Sequence, residues 1–128
     1  MPAPASYTYS AQALIDAQQS FLDLVDSGTA GSIKLRDETD VLLAEIPLTT
    51  PAGTIDGAGQ LTITASGSDP SADASGVCTY GEICDSADVV VLALPATQGA
   101  APVEGELVIS NTTVAAGAEV SLISCTIG

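Results

Sequence analysis

Both positive side chains of this 128-residue chain, Lys34 and Arg36, stand two positions apart in the stretch GSIKLRDETD, against sixteen carboxylates. Their first available chemistry is neutralisation of acidic groups, since two cations are too few to hold a polyanion. The helical segment just before them carries Asp23 and Asp26 near its C-terminal end, where the helix dipole disfavours negative charge. These two are the first in-chain partners expected for Lys34 and Arg36, and carboxylates of an adjacent subunit are the alternative.

Catalytic chemistry finds few parts. The chain has no histidine, so no nucleophile–base pair and no metal-activated water can be assembled from recognisable groups. Two carboxylates suffice for glycoside hydrolysis, but sugar sites also use aromatic platforms, and this chain has one Phe, three Tyr and no Trp. The acidic clusters Asp37, Glu38 and Asp40, Asp69 and Asp73, and Asp85 and Asp88 do not fit the spacing of an EF-hand and read as solvated loop charge. No Gly-rich phosphate loop is present. The expectation is a non-enzyme with no catalytic residue, no metal and no cofactor.

The three cysteines, Cys78, Cys84 and Cys125, cannot all pair with one another. If 77–84 is one strand, Cys78 and Cys84 lie about 20 Å apart at a strand's rise per residue, well beyond disulfide reach. Only a bond to Cys125 is geometrically open, and three reduced, buried thiols are the preferred reading. Three dispersed cysteines without histidine do not make a zinc site.

The net charge of −14 repels phosphate backbones and anionic membrane surfaces, so neither nucleic acid nor membrane is expected as a partner. Such charge keeps a protein soluble but costs stability through self-repulsion that salt screens. MPAPASYTYS lacks the basic and apolar regions of a secretory signal, and Val89 to Leu94 is too short to span a bilayer, so synthesis in a cytoplasm is expected.

These residues need a scaffold. The length suits one domain, and a mean hydropathy of +0.40 with almost no rings requires a core of small aliphatic side chains. Residues 1–9 hold Pro2 and Pro4, which deny the segment helix and ladder, together with Tyr7 and Tyr9. They predict an extended arm able to order against a neighbour. The spacing of Leu14, Gln18, Phe21, Leu22 and Val25 predicts an amphipathic helix over 10–27, with Ser10 as N-cap and Gly28 just past its end.

After Gly31 the period becomes two. Ile33 and Leu35 are expected inward, while Lys34 and Arg36 point outward about 7 Å apart. Further strands are expected at 41–48, ending or lying at an edge because of Pro47, and at 61–65. Segments 77–84 and 88–94 form a hairpin around Asp85-Ser86-Ala87, and 106–114 and 119–127 form a second. Seven short strands after one helix predict a mainly β, antiparallel, jelly-roll-like β-sandwich.

VISNTTVAAGAEVSLISCTIG, together with ALIDAQQSFLDLVDSGTAGSIKLRD, EIPLTT and SADASGVCTYGEICDSADVVV, resembles small structural proteins of tailed-phage virions. The likeness runs from about residue 10 through most of the chain. It rests on an amphipathic helix, a short strand, a Gly/Ala/Thr/Ser-rich β region and a terminal hairpin on an NTT-hydrophobic-x-x-G-x-x-V pattern. The resemblance implies a capsid decoration (cement) or turret protein on the head surface, binding the major capsid protein or another virion protein and itself as a trimer, pentamer or hexamer. A tail, collar or fibre component, or a host- or carbohydrate-binding module, is the alternative. Lys34 and Arg36, with Pro2, Pro4, Tyr7 and Tyr9 of the arm, are the candidate interface residues.

Overall fold

A computed structural model describes residues 9–128. The chain opens with helix α1 (Ala11–Val25). Its N-cap Ser10 has extended backbone, and the Ser10 hydroxyl accepts from the Ala13 amide at 3.1 Å, satisfying one of the donors a helix start leaves open. The helix stops where Asp26 turns out of register, and Gly28 then adopts a φ of +85°, a conformation that a β-carbon would strain. Leu22 and Val25 are buried and Phe21 is half-buried, so the apolar stripe of the sequence is the face that packs.

Nine strands follow: β1 (Ser32–Arg36), β2 (Leu42–Ile55), β3 (Leu61–Ala65), β4 (Gly76–Val77), β5 (Tyr80–Cys84), β6 (Val90–Gln98), β7 (Leu107–Ile109), β8 (Thr113–Val114) and β9 (Leu122–Ile127). Seven of them close into a barrel in the order β1-β2-β3-β9-β7-β6-β5, and β4 pairs separately with β8. The fold is mainly β with one N-terminal helix, as the sequence implies. The seven-stranded sheet closes on itself as a barrel, where a two-sheet sandwich was expected.

Closure also alters the strand directions. Around a ring, an odd number of strands cannot alternate throughout, so at least one neighbouring pair must run parallel. That pair is β6 and β7, aligned Ala96 to Leu107 and Gln98 to Ile109, while the other six pairs are antiparallel. The expected hairpin of 106–114 with 119–127 is divided between two sheets. β7 pairs with β9 in the barrel, and β8 leaves it to meet β4.

Two other expectations change. β2 continues through Pro47 and Pro51 to Ile55 instead of stopping at Pro47, and its register with β3 shifts between Leu48 and Gly53. Pro51 falls in that irregular stretch, where its missing N–H leaves no ladder bond unmade. The segment 77–84 is broken after Val77, so Cys78 lies between β4 and β5. The hairpin of β5 and β6 around 85–88 is as expected.

The core fills the barrel with aliphatic side chains. Ile33, Leu35, Leu43, Ile46, Leu48, Leu61, Ile83, Leu107 and Ile109 have no or almost no exposed surface. Each contributes about 1.5–3 kcal/mol of hydrophobic stabilisation as an upper estimate. Gly81 lets strands approach where a side chain would not fit, since a β-carbon there would stand 2.3 Å from Leu107 Cδ1.

The ends of the barrel are covered by different means. α1 packs where β2 and β9 finish: Asp26 Oδ1 accepts from the Ala52 amide at 3.0 Å, and Gln18 donates to the Ile127 carbonyl at 3.2 Å. Towards the start of β2, the loop after β3 is tied to the loop before β9. Asp69 and Val120 exchange backbone hydrogen bonds of 2.8 and 2.9 Å, and Asp73 donates to the Leu43 carbonyl at 2.8 Å. Ala72, Val114 and Val120 are buried beneath these ties.

Candidate interface

β1 presents Ile33 and Leu35 to the core and Lys34 and Arg36 to the outer face, the alternation expected of a half-buried strand. Its neighbours set the partners. Lys34 lies opposite Glu45 of β2 on one side and Glu82 of β5 on the other, while Arg36 lies opposite Tyr80.

The ion pairs are crossed relative to this register. Arg36 Nε donates diagonally to Glu82 Oε1, and Arg36 Nη1 donates to the Asp40 carbonyl at 3.0 Å. Lys34 reaches past Glu82 to Asp88 in the β5–β6 turn, with Nζ 3.1 Å from Oδ1. Tyr80 completes the cluster by donating its hydroxyl proton to Asp40 Oδ1. The hydrogen bonds to Glu82 and Asp88 hold the Arg36 and Lys34 pKa values above their ordinary range. The hydrogen bond to Asp40 pushes Tyr80 up to about 12.

Asp23 and Asp26 are therefore not the partners of the cations. Asp23 accepts from Gln19 at 2.9 Å along the helix, and Asp26 caps the Ala52 amide. The sequence placed these acids near the cations through chain proximity. The barrel instead brings β5 against β1 from 46 residues away.

Asp40 and Asp88 share a structural role. The loops after Asp37, Asp56 and Asp85 are built alike. In each, the leading Asp accepts through Oδ1 from amides two and four residues on, all at 2.8 or 2.9 Å. The fourth residue adopts positive φ: 67° at Asp40, 90° at Gly59 and 65° at Asp88. This is a type I turn with a left-handed residue closing a three-residue hairpin loop. The turns thereby fix the carboxylates that meet Tyr80 and Lys34. Backbone donation from Val41, then the Thr39 hydroxyl, holds the Asp37 carboxyl below its usual range.

Beside this cluster a cleft of about 470 Å³ opens over Ser32, Glu45 and Pro47, between the loop carrying Asp69 and Asp73 and the turn carrying Asp85 and Asp88. Among the described residues, no group of three or more His, Cys, Asp or Glu side chains is disposed to hold a metal ion. All three cysteines are free and buried. Burial pushes Cys78 up to about 11 and Cys125 up to about 12, which leaves little thiolate at neutral pH.

Tyr9 is exposed at the start of the described chain, whereas Pro2, Pro4 and Tyr7 lie outside the described residues. Sequence reasoning did not find Glu82, Glu45 and Ser32, and it read Asp88 as solvated loop charge where the structure pairs it with Lys34. Glu82 carried a usable signal, since its place between Gly81 and Ile83 in an alternating strand puts it on the outer face. No helix among the described residues is long and apolar enough to cross a membrane. No protein-family model matches the chain, and neither a curated protein nor a solved structure matches it.

Proposed function

We propose that the chain is a structural virion protein of a tailed phage, a capsid decoration or turret protein that docks on the head lattice. The sequence resemblance suggests the class. The structural observation that favours it is the closed barrel, whose seven strands leave no unpaired edge in the ring, so association proceeds through side chains on a rigid surface.

Exposed apolar groups are available for such contact. Leu24 of α1 is 60% exposed and Val89 before β6 is 58% exposed, and α1 lies against β6. A lattice multiplies modest contacts through avidity, so no single contact needs to be strong. Lys34 and Arg36 are engaged within the chain, which shifts the weight of an interface onto these apolar residues and onto the unpaired carboxylates.

Copy number per particle tests the reading. Gel densitometry of purified virions should give hundreds of copies, commensurate with the major capsid protein. Tens or fewer would assign the chain to the tail or collar, and none would remove it from the virion.

A further inference from the structure

The outer face of β6 breaks the alternation that β1, β3 and β5 keep. β1 turns Lys34 and Arg36 outward, β3 turns Thr62 and Thr64, and β5 turns Glu82, the polar half of a strand with one solvated face. β6 reads VVLALPATQ, with Leu94 buried, Leu92 and Ala96 packed against the core, and Val90, Ala93 and Pro95 exposed. A run that is apolar on both faces is the pattern of a strand covered on both sides. Val89, at the mouth of the strand, is 58% exposed as well.

Charge is missing from the same place. Residues 89–103 include no Asp, Glu, Lys or Arg, in a chain whose net charge is −14. The two carboxylates that border the strip are both neutralised: Glu82, across the ladder from Ala93, by Arg36, and Asp88, next to Val89, by Lys34. Asp85, at the head of the same turn, points its Oδ1 at the Ala87 and Val89 amides. Both cationic side chains of the chain therefore serve the side of the barrel on which the apolar strip lies. A cationic partner would be drawn to the carboxylates elsewhere on the surface. A partner as acidic as this chain is repelled except where charge is absent or paired. The partner that carries the same charge and the same neutral strip is a second copy of the chain.

We infer that two copies associate face to face through the outer side of β6, with Val89, Val90, Ala93 and Pro95 of one against the same residues of the other about a two-fold axis. Lys34 and Arg36 assist from the border of the contact by cancelling the charge of Asp88 and Glu82, which would otherwise face the like groups of the second copy. The inference goes beyond the docking reading, because it concerns contact between copies and is testable on the isolated chain.

Sedimentation velocity of the full chain over a range of protein concentrations, at low and at high sodium chloride, tests it. A monomer–dimer equilibrium is expected that strengthens as salt rises, because salt screens the repulsion between two acidic copies and leaves the apolar contact in place. Ala93→Glu should weaken the dimer about tenfold. Thr62→Glu, which adds the same charge on the outer face of β3, should leave the dimer nearly unchanged. Val89→Ser, at an exposed site with no added charge, and Lys34→Gln, which leaves Asp88 bare beside the strip, should each weaken it less than Ala93→Glu. Circular dichroism checks that every variant is folded. A monomer at every concentration and salt, as when the strip serves a different protein, would overturn the inference. So would association that weakens with salt, a trimer or larger ring, or equal effects of Ala93→Glu and Thr62→Glu. None of these outcomes bears on copy number in the virion, so the two readings fail separately.

Discussion

Arg36 and Glu82 are joined across two strands that are 46 residues apart in sequence, yet Glu82 stands directly opposite Lys34 and not opposite Arg36. The guanidinium, with its planar fork of donors, reaches diagonally to Glu82 and back to the Asp40 carbonyl. The ammonium, a single point charge on a flexible stem, takes Asp88 instead. The chain's only two cations thus bind β1 to β5 and to both flanking turns.

The two cations should therefore contribute unequally to stability. The Arg36 and Glu82 side chains are 24% and 18% exposed, whereas Asp88 is 65% exposed. Arg36→Gln should cost about 1–2 kcal/mol, and Lys34→Gln about 0–1 kcal/mol, in urea unfolding. An equal or larger loss in the Lys34 variant would mean that the diagonal pair is not the stronger one.

Glycines test how tightly the barrel is drawn. A β-carbon at Gly53 would stand 2.3 Å from the backbone oxygen of Thr62, next to its ladder partner Ile63 on β3, whereas one at Gly57 would meet nothing within 4 Å. Gly53→Ala is expected to destabilise by about 1–3 kcal/mol, and Gly57→Ala to be neutral or stabilising by up to about 1 kcal/mol. Matching midpoints for the two variants would contradict the β2–β3 packing described here.

Stability should fall at alkaline pH. Cys78 and Cys125 are raised from 9.0 to about 11 and about 12, and Tyr80 from 10.0 to about 12. The folded chain keeps these protons at pH values where the unfolded chain has released them. Their contribution is thus whole below about pH 9 and is lost as pH rises through about 11–12. Asp37 acts on the acid side with the opposite sign, its contribution being present above 3.8 and lost as pH falls through its lowered value. Thermal unfolding from pH 8 to 12 should show a falling Tm, with a shallower fall in Cys125→Val. A Tm independent of pH over that range would contradict the burial of these thiols.

What could be read from the sequence was local. Ser10, the Leu14 to Val25 stripe and Gly28 placed the helix to within two residues of Ala11–Val25, and alternation placed 33 and 35 inside and 34 and 36 outside. Leu61–Ala65 and the Asp85 turn were legible for the same reason. The parallel pairing of β6 with β7 was not, because it follows from closing an odd ring, a condition that no local window contains. Partner choice at Lys34 and Arg36 failed likewise. A strand's own pattern shows which residues face outward, while the register of its neighbours decides what they meet.

Docking on a head lattice is the central claim, and cosedimentation tests it most directly. Full-length chain is mixed with particles of the parent phage that lack it, and pelleted protein is quantified across salt concentration. The account predicts saturable binding at hundreds of copies per particle, weakened by salt because unpaired carboxylates carry part of the contact. Protein that stays in the supernatant at every concentration and salt, while circular dichroism shows it folded, would contradict it.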